Sequence, residues 1–317
     1  MDTRAKSFFS FSVLIIILAA SGQITHAQPT PGLTDLVEPG EPELIATGFT
    51  FAEGPVWHPN GYLLFSDIPA NKIYKWTQVG QVEIFRSPSG HSNGLTFDRQ
   101  GRLITCEHGN RQVSRTEPDG TVVTLANNYS GKKLNSPWDS VVKSDNSIYF
   151  TDPPYGLTPA YGVAGMQELA FHGVYRIPLD GNGIRLLVDD ISNPVGLVFS
   201  PDESVLYIGS FSAKCIYAFD VETDGTLANR RLFAYVMGSP VGMKVDIQGN
   251  LYVTTDLPNI QVYNSMGTRL GYIKIPESTF NCAFGGLDYK TLFITAKTSI
   301  YRVQLKVQGI PVIPMGN

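Results

Sequence analysis

The sequence predicts an all-β fold, a six-bladed β-propeller, on three observations. A unit of turn, alternating strand, Gly or Asp turn and apolar strand recurs six times, and the first-turn residues Glu53, Asn93, Trp138, Val195, Val241 and Asn281 lie 40, 45, 57, 46 and 40 residues apart. That spacing suits blades of about four short strands each. Between the copies, segments such as KIYKWT, VEIFRS, CIYAFDV and IQVYNS alternate apolar and polar residues, as half-buried antiparallel strands do. No long stretch carries a 3.6-residue apolar period.

Taken in order, residues 1–27 read as a signal peptide. Arg4 and Lys6 supply a basic start, Phe8 to Ala20 an apolar run of 13 residues, and Thr25-His26-Ala27 a cleavage site. The run is shorter than the roughly 20 residues that span a bilayer, although an uncleaved anchor is the alternative. Residues 28–43 are Pro-rich and expected to be extended, completing the last blade to close the ring. The propeller is placed at 44–317. Its six copies read AEGPVWHPNGYLLFSDI, SNGLTFDRQGRLITCEH, SPWDSVVKSDNSIYFTDP, NPVGLVFSPDESVLYIGS, SPVGMKVDIQGNLYVTTD and NCAFGGLDYKTLFITAK. Leu157 to Phe171, with two Gly and a Pro, reads as an ordered loop on the third blade. Asp67 and Asp152 fall at strand ends, where they cap turns, and Asp202-Glu203 falls in an exposed turn.

Composition narrows the function. Without Asp2, Arg4 and Lys6 the 24 basic and 28 acidic residues fall to 22 and 27, a formal charge of −5. No basic patch is visible, so nucleic acid is not an expected partner. No membrane association is expected once the leader is removed, and the protein is expected to be a monomer or weak oligomer. It would be secreted or held in the secretory-pathway lumen, or periplasmic in a bacterium. Cys106, Cys215 and Cys282 fit no metal-finger spacing, leaving either one disulfide with a free thiol or three buried thiols. Asn128-Tyr129-Ser130 is an N-glycosylation sequon. No GxSxG elbow, nucleotide-binding loop or HExxH is present.

The repeat register nominates a site by itself. The innermost strand of each blade lines the central channel, so equivalent first-turn residues converge at one mouth although they are forty residues apart. The nominated set is Glu53, Asn93, Trp138, Val195, Val241 and Asn281, with Asp139 beside it. Glu53 is a candidate proton donor or acceptor in a dry pocket. Alternatively, it only binds turn NH groups. His108, in CEHGNR, is the one histidine placed for acid–base work, or else a structural histidine bonding a neighbouring blade. Asn93 and Asn281 could present amides to a carbonyl or simply shape their turns.

FAEGPVWHPNGYLLFSDIPANKIYKW, SNGLTFDRQGRLITCEHGNRQVSRTEPDG, KKLNSPWDSVVKSDNSIYFTDPPYGL, GLVFSPDESVLYIGS and NCAFGG resemble the gluconolactonase, senescence-marker-protein and luciferin-regenerating-enzyme family of six-bladed propellers. The resemblance runs from about Pro42 to Gly309. It implies one divalent cation, often calcium, held by a Glu in EGP, an Asn in NSPND, an Asn in PNGL and an Asp in PDGL. Carried over by position, the Glu is Glu53, the first Asn falls on Trp138, the second on Val195, and the Asp, also the family's proposed base, on Val241. Hard cations need several oxygen ligands, so no metal and no cofactor are expected. Asn135, Asp139, Asn193 and Ser239 are neighbours that a local shift could bring inward, but strand alternation points an adjacent residue to the opposite face.

Trp138, Val195 and Val241 read as a channel rebuilt for a small apolar substrate, with Asn93, Asp139 and Asn281 also in contact with it. The expected chemistry is metal-independent cyclisation, a hetero-Diels–Alder-like cycloaddition or a condensation in secondary metabolism. Its catalytic groups would be Glu53 and His108. The alternatives are the metal-dependent lactonase activity that the resemblance implies, with Glu53 as ligand to calcium or zinc, and a non-enzymatic carrier of an apolar ligand.

Overall fold

In the inner strand of the first blade, Ala52–His58, almost every residue is buried, whereas in its outer strand, Val82–Arg86, almost every residue is exposed. The gradient follows from the architecture: an inner strand is covered on both faces by neighbouring blades, an outer strand by neither. The computed structural model describes Met1 and residues 32–179 and 183–313. The expected signal peptide therefore lies outside the described residues apart from Met1. Among those residues there is no α-helix, and six four-stranded antiparallel sheets make the six blades. The first runs Ala52–His58, Tyr62–Asp67, Lys72–Thr77, Val82–Arg86 from the channel outward. The inner strands of the other five are Ser92–Phe97, Ser140–Val142, Pro194–Phe199, Pro240–Val245 and Asn281–Gly285.

The sixth blade is composite. Glu43–Thr47 pairs with Ser299–Gln304 and so joins the two ends of the propeller. Among the described residues of the segment before it, expected to do this, pairing is limited to the bridge between Val37 and Leu305 and its flanking bonds, Glu38 NH to the Gln304 carbonyl and Lys306 NH to the Leu36 carbonyl. Leu33–Asp35 turns as a 3-10 helix, and Pro39 and Pro42 lack the NH groups that a continued ladder needs.

Six apolar clusters match the six interfaces between blades. Val56, Leu64, Leu95 and Leu103 join the first blade to the second, for example, and Trp57, Trp76, Ala283 and Phe293 join the first to the sixth. The seventh cluster, Trp138 with Val195 and Val241, belongs to no such interface. Cys106, Cys215 and Cys282 are buried free thiols. Asp67 accepts from the NH groups of Thr50 and Phe51 at 2.8 and 3.1 Å, the turn-capping role expected of it.

Candidate active site

Glu53, Asn93, Val195 and Val241 sit at breaks in the pairing of their inner strands. The register skips between Glu53 and Val56, Ser92 and Leu95, Pro194 and Leu197, and Pro240 and Met243. Such bulges re-aim side chains. The glycine that follows each site residue lets the next blade close in. A Cβ on Gly54 would lie 2.0 Å from the Asn93 carbonyl oxygen, one on Gly94 2.6 Å from that of Trp138, and one on Gly196 2.5 Å from that of Val241. A Cβ on Gly242 would lie 2.2 Å from Asn281 Oδ1. Contact between the inner strands at this level thus depends on residues without side chains.

The third blade departs from that pattern, having Asp139 where four others have glycine. Trp138 and Asp139 precede their inner strand, which starts at Ser140, and the Trp138 NH and the Asp139 carbonyl both bond Thr151. Strict alternation therefore does not apply, and Asp139 comes close to Glu53 and Asn281 instead of facing away. This corrects the expectation that strand geometry would keep Asp139 from turning inward. The other neighbours do not join. The Asn135 amide donates to the carbonyls of Asp152 and Phe171, Asn193 donates to Ser212, and the Ser239 NH donates to Asp256.

Glu53 is fully buried, and its Oε2 accepts from the Gly54 NH at 2.6 Å. Burial pushes its carboxyl up to about 8, and the Asp139 charge adds to this, while the Gly54 NH, the Asn281 amide and Lys244 pull the other way. Asp139 is raised as well, chiefly by burial, against the opposing pull of Lys244, the Ser140 NH and Asn281. Asn281 anchors its own Oδ1 on the Cys282 NH at 2.9 Å. The result is a dry pair of carboxyls in which a proton is readily held.

His108 stands beside this pair in a different state. Its Nδ1 donates to the Tyr161 carbonyl at 2.7 Å, so that the Nε2, 3.1 Å from the Asn93 side-chain nitrogen, accepts from the Asn93 amide. Burial lowers its pKa to about 4, which keeps it neutral with both ring nitrogens engaged. His108 ties the loop of the third blade, through Tyr161, to the turn of the second.

An apolar cluster, the cup, is formed at the same set of turns. Trp138, Val195 and Val241 pack together with Tyr155, Phe211 and Phe280 against them. Ring contacts continue around the mouth: Trp138 to Tyr155 and Tyr155 to Phe211 at 5.4 Å, Trp138 to His108 at 5.5 Å, Phe51 to Phe280 at 4.4 Å and Phe51 to Tyr161 at 5.2 Å. The repeat register did not reveal these rim aromatics, because Phe51 and Phe280 lie just before inner strands and Tyr155, Tyr161 and Phe211 follow the second strands of their blades. Four buried polar atoms at the site make no hydrogen bond: Glu53 Oε1, Asn93 Oδ1, Trp138 Nε1 and Asp139 Oδ2. Buried polar groups are seldom left unpaired, so these atoms are open to a bound water or ligand. Asn128 lies apart from all this, exposed on a two-stranded surface ribbon.

The residues do not fit the divalent cation that the resemblance implies. Three of its four ligand positions carry Trp138, Val195 and Val241, which pack on one another and have no oxygen to offer. Among the described residues no group of three or more His, Cys, Asp or Glu is arranged to hold a metal.

Comparison with known proteins agrees with the fold. Residues 51–298 match the family model described as SMP-30/Gluconolactonase/LRE-like region. A gluconolactonase of Zymomonas mobilis is 34% identical, over 91% of this chain and 87% of its own. A gluconolactonase structure from Xanthomonas campestris is 36% identical with a TM-score of 0.82, covering 86% of this chain and 92% of that one. The luciferin-regenerating enzyme superimposes with a TM-score of 0.74 at 18% identity, over 87% of this chain and 100% of that one, a likeness of fold alone.

Proposed function

The chain belongs to the SMP-30/gluconolactonase/LRE-like family of propellers, and on that premise we propose that it is a lactonase whose site acts without a metal on a lactone with an apolar body. The observation that carries this reading is the placement of two buried, unpartnered carboxyl oxygens, those of Glu53 and Asp139, at the same set of turns as the cup of Trp138, Val195 and Val241. Gluconolactonase relatives support the reaction class, and the cup supports the change of substrate from a polar sugar lactone to an apolar one.

In this reading the lactone seats its apolar part on Trp138, with its carbonyl oxygen toward Glu53. Protonated at pH 7, Glu53 donates to that oxygen and stabilises the charge that develops on it. Asp139, raised by burial and therefore a stronger base in its ionised form, with Lys244, the Ser140 NH and Asn281 favouring that form, takes a proton from water as the water adds to the carbonyl carbon. When the ring C–O bond breaks, Asp139 returns that proton to the leaving oxygen, and the product is the hydroxy acid. Asn93, held by His108, offers its free Oδ1 to a hydroxyl of the substrate. His108 serves as a positioning residue.

Hydrolysis of a δ-alkyl lactone such as δ-decalactone, followed by pH-stat titration, tests this. The rate should persist after exhaustive dialysis against a chelator and fall as pH rises through about 8, where Glu53 loses its proton. Glu53→Ala should lower kcat/KM by about 10²- to 10⁴-fold. Loss of activity on chelation would overturn the metal-free reading.

A second reading rests on the same apolar cup: a cycloaddition or condensation needs a shaped dry cavity and a hydrogen bond to a polarised carbonyl. It predicts turnover of a polyene or enone substrate with no uptake of water, and retention of that activity by Asp139→Asn.

A further inference from the structure

A largely apolar cavity of the propeller lies away from the mouth that Glu53 faces. It lies toward the opposite end of the channel, with a volume of about 390 Å³, and is lined by inner-strand residues that follow the site residues, including Val56, Leu95, Ser140, Leu197, Lys244 and Phe284. Ligand cavities commonly have this size, with mostly apolar walls and a few polar groups.

Three features set this cavity apart from a packing defect. The first is its floor. After the last strand the chain bridges Gly309 to Asp246, lays Ile310 on the core between the fourth and fifth blades, and lays Val312 and Ile313 on the core between the first and second. The C-terminal segment therefore crosses the channel end, and Ile310, Pro311 and Val312 line the cavity.

The second feature is Lys244. In the repeat register the residue three places after each site residue is Val56, Thr96, Val141, Val198, Lys244 and Phe284, so one charge stands in a ring of uncharged side chains. Among the described residues Lys244 makes no ion pair, and its Nζ donates only to the Met243 carbonyl at 3.0 Å. The other cation of the wall, Arg99, is already paired with Glu203 at 3.3 Å. The third is Ser140. It is 5% exposed and lines the cavity, and its Oγ bonds no nitrogen or oxygen and has only the Cys106 thiol beside it.

We propose that this lower cavity is a second binding site, separate from the lactone site, for an amphipathic carboxylate: an apolar chain along Val56, Leu95, Leu197 and Phe284 and an anionic head on Lys244 and Ser140. An ammonium with no carboxylate in ion-pair contact, felt only at longer range by Glu53 and Asp139, stands with the Ser140 hydroxyl in a largely apolar enclosure, and a single anionic oxygen group on an apolar body matches that arrangement. The proposal does not depend on which reaction runs at the other mouth.

Calorimetric titration of the full chain with decanoate and with 1-decanol tests it. Decanoate should bind, and the alcohol should bind about tenfold or more weakly because it forgoes the charge-assisted bond. Lys244→Met should reduce decanoate to the affinity of the alcohol, whereas Lys244→Arg should keep the preference. Trp138→Ala, at the far mouth, should leave decanoate binding unchanged. Absence of decanoate binding would overturn the proposal, as would equal affinity for the two ligands or indifference to Lys244→Met. Loss of binding in Trp138→Ala would overturn it too, by assigning the ligand to the Glu53 mouth. Should Lys244→Met melt prematurely, the ligand pair and the other two variants still decide the matter.

Discussion

A carboxyl sealed at the head of an inner strand stays neutral more cheaply than it ionises, and Glu53 does so up to a pH of about 8. This links the site to stability. Between the ordinary carboxyl range and about 8 the folded chain holds a proton that the unfolded chain has lost, so stability falls as pH rises across that window and levels off above it. Glu53→Gln, always neutral and nearly the same size, removes that dependence. In calorimetric melts it should match the wild type near pH 5 and exceed it at pH 9, by at most about 5 kcal/mol. A variant less stable than the wild type at both values would refute the assignment of a buried proton to Glu53. At this scale much of the site was legible in the sequence: Glu53, Asn93, Trp138, Val195, Val241 and Asn281 follow from the register alone. Lys244 was not, because only the repeat position three residues further on distinguishes it, and its meaning depends on the cavity it lines.

At the scale of the strand, the inner-strand bulges and their glycines decide whether neighbouring blades can meet around the channel. Gly196 does not need an unusual backbone conformation; it needs the absence of a Cβ, which would lie 2.5 Å from the Val241 carbonyl oxygen. Gly196→Ala should therefore destabilise by about 1–3 kcal/mol, the usual effect of overpacking. Gly165→Ala, whose Cβ would have a nearest neighbour at 3.5 Å, serves as the near-neutral control in chemical denaturation. The same scale explains why strand alternation does not turn Asp139 away. Alternation is a rule for residues inside a strand, and Asp139 precedes one that begins at Ser140. The third blade therefore delivers two consecutive residues to the site, Trp138 to the cup and Asp139 to the carboxyl pair.

For the molecule as a whole, closure rests on Glu43–Thr47, which supplies the outer strand of the last blade and lends Ile45 and Ala46 to the core between blades six and one. Deleting residues 43–47 would leave Ser299–Gln304 as an open edge and uncover that core. The melting temperature should drop by roughly 10 °C or more, with a concentration-dependent loss of soluble protein on heating. An unchanged melt would mean that the ring closes without this strand. The sequence alone determined the number of blades and the residues that head each inner strand, Trp138, Val195 and Val241 among them, because repeat spacing and side-chain type are local properties of the chain. The tertiary structure alone decided that Trp138, Val195 and Val241 form one cluster, that Asp139 shares a buried site with Glu53, and that a cavity holding Lys244 lies toward the far end of the channel. These depend on how strands from different blades approach one another, and no spacing within a single repeat encodes that distance.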